Sequence, residues 1–247
     1  MPSTYNDRIV FNGHDLSNLV MCRMERPVLP PITVSSQEVG GKHGEHFKRA
    51  TMKGYDIVVN IWLRSEDRRR VADIRHELAA LLWSPEPAPL VLPDDPTHYN
   101  LAVLSGETDL GAITSELPET TLLFHVCDPI SYGAEHSESL VTGTAKTLVS
   151  GGTWPSFPVV TSVLSGGTWK ITNQDTSDYV EVNADTFGAE LTAGATLVCD
   201  MALERVTING SDAGVEMLSN FFSLFGETSV KVSGATSTTV DWRERCL

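Results

Sequence analysis

Tyr55-Asp56-Ile57-Val58-Val59-Asn60-Ile61-Trp62-Leu63 runs directly into a second stretch that reaches from Ser65 to Trp83-Ser84-Pro85. The first stretch is β-branched and aromatic, the make-up of a strand. The second begins with Ser65 as a helix N-cap, and Glu66 and Asp67 follow where the helix dipole favours anions. Val71, Ile74, Leu78, Leu81 and Leu82 recur at spacings of three and four, one apolar helical face. Pro85 ends the helix, because the residue before a proline avoids helical geometry. This predicts a strand feeding one helix that covers a sheet.

No second helix is predicted. Pro89–Leu92, Tyr99–Leu104 and Thr120–Val126 read as further strands, with a turn at Pro93-Asp94-Asp95-Pro96. The first part is therefore expected to be a mostly antiparallel sheet with a single helix. Asp128-Pro129 and Tyr132-Gly133 are breakers, and a polar stretch follows them. The boundary is placed there, giving domains 1–134 and 135–247. Beyond it the chain is rich in Thr, Ser, Gly and Val, which suits short strands joined by tight turns. Trp169–Thr172, Thr196–Met201, Arg205–Gly210, Phe221–Phe225 and Thr228–Val232 read as strands, with Asn209-Gly210 as a turn. Their even spacing suggests a β-sandwich. Ser150-Gly151-Gly152-Thr153-Trp154 recurs as Ser165-Gly166-Gly167-Thr168-Trp169. Two copies are too few for a solenoid and read as two similar strand–turn edges.

The chain has 247 residues, enough for one large or two small domains. With 18 Lys+Arg against 32 Asp+Glu, its net charge of −14 argues against a nucleic-acid or anionic-membrane binder. A hydrophobic fraction of 41% fits a globular protein. No apolar run approaches the ~18–20 residues of a membrane span. The polar start Met1–Arg8 lacks the features of a signal peptide, so synthesis in a cytoplasm is expected. Cys22, Cys127, Cys199 and Cys246 have no metal-finger spacing and are expected to be free and mostly buried.

His43-Gly44-Glu45-His46 is not the H-E-x-x-H of a zinc protease, and Gly40-Gly41 before it favours a loop tip. Gly40-Gly41-Lys42-His43-Gly44 lacks phosphate-loop spacing. Asp94-Asp95, between prolines, reads as a polar turn, and Asp175–Asp178 lacks the calcium-loop pattern. There is no G-x-S-x-G elbow. No catalytic set, metal or cofactor is expected.

A set of segments follows in a recognisable order along the chain. Phe11-Asn12-Gly13-His14-Asp15-Leu16-Ser17 comes first. Glu25-Arg26-Pro27-Val28-Leu29-Pro30-Pro31-Ile32 and Gly40–Phe47 follow. Then come the Ile57–Leu63 strand, the Arg68–Trp83 helix, the Pro85–Leu90 turn, Ser105–Leu110 and the Cys127–Gly133 exit. Gly151–Pro158, Lys170–Asn173, Leu191–Leu197 and Arg205–Gly210 complete the order in the C-terminal half, and the whole order resembles siphophage distal tail proteins. Cys127 and the tail Asp241–Leu247 depart from the pattern.

The resemblance implies a mainly β chain. Its N-terminal part would be an antiparallel, β-sandwich-like ring domain with one α-helix, and its C-terminal part a galectin-like β-sandwich. It further implies a homo-oligomeric ring, a hexamer, at the distal end of the virion tail. The partners implied are the tail tube protein, the tail-tip hub or tail-associated protein, and in many phages a receptor-binding protein. An acidic lumen would let DNA pass without sticking. The Gly40–Phe47 loop would mediate ring assembly through Lys42, Lys48 and Arg49. The rival expectation is a carbohydrate-binding module in which Trp154 and Trp169 stack on host cell-wall sugars. A cell-wall hydrolase is set aside for want of a triad or metal set.

Overall fold

A computed structural model describes residues 8–63, 68–108, 119–188 and 191–247, with backbone only for 68–70. The expected N-cap Ser65, its neighbours Glu66 and Asp67, the pair Asp109-Leu110 and the start Met1–Asp7 lie outside the described residues. The chain forms two compact units, Met1–Ser131 and Tyr132–Cys246.

The first unit contains β1 (Val10–Phe11), β2 (His14–Asp15), β3 (Val20–Glu25), β4 (Ile32–Glu38), β5 (Glu45–Met52) and β6 (Tyr55–Leu63). It continues with α1 (Arg68–Leu82), β7 (Ala88–Leu92), β8 (Asp95–Ser105) and the first part of β9 (Glu119–Leu140). Neighbouring strands in its sheet run β3-β6-β9-β8-β7-β1-β2. The register Ile57↔Phe124, Val59↔Leu122 and Ile61↔Thr120 turns alternate residues of β6 and β9 to one face. There Ile57, Val59, Leu63, Leu122 and Phe124 join Val71, Ile74, Leu78 and Leu82 of α1 in one buried cluster. Phe11 closes on Phe124 with ring centroids 5.2 Å apart. Each aliphatic side chain so buried contributes about 1.5–3 kcal/mol.

The breakers expected at Cys127–Glu135 do not end a strand, since β9 continues from Glu119 to Leu140. Pairing of β6 with β9 stops at Tyr55↔Val126, so Pro129 lies beyond that ladder.

The second unit holds the rest of β9, β10 (Ala145–Val149), β11 (Val159–Leu164), β12 (Trp169–Asn173), β13 (Tyr179–Val182) and α2 (Ala184–Phe187). It ends with β14 (Thr196–Asp200), β15 (Arg205–Ile208), β16 (Ser211–Ala213), β17 (Glu227–Ser233) and β18 (Ala235–Cys246). One sheet is ordered β16-β15-β14-β11-β18-β9 and the other β10-β17-β12-β13. A single buried cluster takes Val160, Leu197 and Val240 from the first sheet and Leu148, Ile171 and Val232 from the second. That makes the unit a β-sandwich.

Three local expectations are corrected. Phe221–Phe225 is not a strand: its backbone forms an isolated Ser156↔Leu224 bridge, while Phe222 and Leu224 are buried in the sandwich core. The single turn α2 was not foreseen, although Asn183 and Thr186 form a reciprocal capping box at its start. Of the free thiols only Cys199 is buried, where desolvation pushes its pKa up to about 12; Cys127 is exposed.

Candidate assembly surface

β4 and β5 pair with each other and form a separate two-stranded sheet. A two-stranded hairpin by itself is marginal in water. The glycine-rich segment is thus only the tip of an arm, not a free loop, and Glu45, His46 and Phe47 already belong to β5. Gly41 and Gly44 hold the tip with positive φ of 82° and 84°, where a side chain would be strained.

The register assigns faces to this ribbon. Ile32↔Met52, Val34↔Ala50, Ser36↔Phe47 and Glu38↔Glu45 are direct pairs. Paired residues share a side, and alternate residues of β4 share it too. One face is therefore an apolar strip that ends in two opposed carboxylates. Ile32, Val34 and Phe47 on it are 48%, 59% and 66% exposed. The other face carries Thr33, Thr51, Ser35, Arg49, Gln37 and His46. Lys48 is the extra residue of a bulge between the Ser35↔Arg49 and Ser36↔Phe47 pairs.

The structure thus places Lys42 at the tip, Lys48 at the bulge and Arg49 on the polar face, all exposed. With Lys53 they make the ribbon cationic on a chain of net charge −14. Sequence reading found these cations and missed the apolar strip. The alternation of Ile32 and Val34 was its only signal. Among the described residues no group of three or more His, Cys, Asp or Glu could hold a metal.

A second feature of the same unit lies beside α1. Ile61, Leu78, Leu82, Leu104 and Leu122 line a cleft of about 650 Å³, and the 75%-exposed Trp83 stands at its mouth. Arg75 also lines it, and has no carboxylate partner among the described residues.

In the sandwich the two tryptophans of the repeated Gly-Gly-Thr-Trp part company. Trp169 is fully buried at the start of β12, so it offers no ring to a sugar. Trp154 is half-buried and bridges Arg245, its N–H donating to the Arg245 carbonyl at 2.9 Å. A Cβ at Gly152 would lie 2.1 Å from that carbonyl, so glycine is required for the close approach. The guanidinium of Arg245 sits 5.3 Å from the Phe157 ring centroid. The tail Asp241–Leu247, which had no match in the sequence pattern, supplies the end of strand β18 as far as Cys246 and forms this contact.

The family model described as the phage tail protein RIFT-related domain matches residues 12–126. The one described as the siphovirus-type tail component, C-terminal domain, matches residues 151–246. The chain belongs to the siphophage distal tail proteins. Dit of phage SPP1, described as a paradigm of the hub adsorption apparatus in phages infecting Gram-positive bacteria, is similar at 16% identity. The likeness has a TM-score of 0.79 and covers 97% of this chain and 99% of that one. A chain of the activated baseplate of phage p2 is 7% identical with a TM-score of 0.50, over 93% of this chain and 92% of that one. No curated protein matches.

As a distal tail protein the chain is a structural component of the virion tail. Its ribbon and its α1 cleft both lie in the segment matched to the tail-protein domain. Both tryptophans lie in the segment matched to the C-terminal domain.

Proposed function

We propose that this distal tail protein forms a ring of six copies at the tip of the tail. The ring joins the tail tube to the tail-tip hub and carries the receptor-binding apparatus. The observation that carries the ring is the β4–β5 ribbon, a two-stranded arm with an exposed apolar face, which stands ready to be covered by a second protein surface. Domain 1–134 builds the ring. Lys42, Lys48 and Arg49 support assembly by drawing the cationic arm to an acidic neighbour. The net charge of −14 suits a lumen through which DNA slides.

Light scattering and electron microscopy of the purified chain, alone and with tail-tube and hub proteins, test the reading. Six copies of a 26.9 kDa chain give about 160 kDa. A monomer that persists at high concentration with both partners present would exclude the ring. The sandwich as a sugar-binding module is not favoured, because Trp169 is in the core.

A further inference from the structure

The first unit presents two apolar surfaces. One is a protruding apolar strip, Ile32, Val34, Phe47 and Met52, ending in Glu38 and Glu45. The other is an apolar recess along α1, walled by Leu78, Leu82 and Leu104 and bordered by Arg75. Their lengths agree. The seven residues of β4 extend about 20 Å, and the fifteen of α1 about 22 Å.

Their charges agree as well. Glu38 and Glu45 stand directly opposite each other, an unfavourable like-charge pair. Glu45 accepts from Ser36 Oγ, and neither carboxylate has a cation partner among the described residues. Arg75, which lines the cleft, is a cation with no carboxylate partner among the described residues.

We propose that the apolar strip of the β4–β5 ribbon of one copy seats in the α1 cleft of a second copy, head to tail, with Glu38 and Glu45 set against Arg75. This rests on the ring reading and names the surface that makes it. The contact is heterologous: the strip and the recess are different surfaces, so each copy donates a ribbon to one neighbour and accepts one from the other. Such contacts generate rings when the rotation closes. Phe47 is the anchor, an aromatic side chain that moves from water into an apolar recess, and Trp83 folds over the seated ribbon as its rim.

The test uses the full chain under conditions in which the wild type assembles. A photoreactive phenylalanine analogue replaces Phe47, and the protein is assembled as a mixture of ¹⁴N and ¹⁵N copies. Mixed-isotope adducts within 71–84, 104–108 or 120–122 are expected after irradiation. Phe47→Ser and Ala79→Arg, both at exposed positions, should weaken association about 30-fold and leave the melting temperature unchanged. Arg75→Glu should also weaken it, and Glu38→Arg with Glu45→Arg in the same chain should restore it. Adducts confined to single-isotope copies, adducts elsewhere on an intact ring, or a ring that tolerates Phe47→Ser and Ala79→Arg would overturn the proposal and leave the ring standing. Absence of any ring in the wild type would remove both.

Discussion

The β4–β5 ribbon and the β11–β14 pair of the sandwich are both antiparallel, and both place apolar residues at alternate positions of a strand. In β11, Val160 and Leu164 are 0% and 1% exposed, because a second sheet lies over them. In β4, Ile32 and Val34 keep about half of their surface in water. The same pattern of residues therefore describes a core in one place and half of a core in the other. An apolar stripe without an internal lid is a request for a partner.

That contrast can be broken or sharpened by substitution. The largest effect belongs to the finished core. Trp169→Ala should destabilise the sandwich by about 3–5 kcal/mol in denaturant unfolding and leave assembly of folded chains intact. Should it instead affect assembly at unchanged stability, the division between packed core and docking strip is wrong. Gly152→Ala comes next. Its Cβ would strike the Arg245 carbonyl, and forcing β18 away should cost about 1–3 kcal/mol by the same measurement.

On the ribbon the effects move from stability to association. Replacing Lys42, Lys48 and Arg49 together by Glu should weaken ring formation about tenfold in sedimentation, yet alter monomer stability by less than about 0.5 kcal/mol. Replacing His43 and His46 by Ala should change neither, and zinc should not raise the melting temperature. Stoichiometric zinc binding lost in that variant would refute this.

The smallest effect is on pH dependence. Burial raises the Asp95 pKa, but the His98 ring 2.7 Å away, Thr97 and Arg26 outweigh it and hold the carboxyl below its usual range. A depressed carboxylate contributes stability that is present above its unfolded value of about 3.8 and is lost as pH falls through the folded one. Partial exposure keeps this under about 0.5 kcal/mol. Asp95→Asn should therefore flatten the first unit's acid limb slightly below pH 4, measured by unfolding at stepped pH.

Much of the fold was legible where one period ran unbroken. Leu78 and Leu82 on α1, Ile57 to Leu63 on β6, and the Asn209-Gly210 turn with φ of 49° and 83° all follow local rules. The ribbon was not legible, for a physical reason. Its glycine-rich tip, its serines and the bulge at Lys48 interrupt the alternation, and its apolar face has no core to announce it. β9 was misread because Asp128-Pro129, just beyond the last β6–β9 pair Tyr55↔Val126, does not end the strand. Of the candidate site, the cations were found by composition. The strip and the cleft needed the register and the packing.

One consequence concerns timing. β18 stands between β11 and β9 in the middle of its sheet, so the sandwich lacks a central strand until residues 235–246 have left the ribosome. The strands of the first unit have all been synthesised more than a hundred residues earlier, by Ser131. At about 5–20 residues per second, several seconds separate the two events. During that interval the first unit has its full set of strands, ribbon included, while the sandwich still lacks β18. Neighbouring nascent chains on one messenger could therefore begin to pair through the ribbon before either chain has finished.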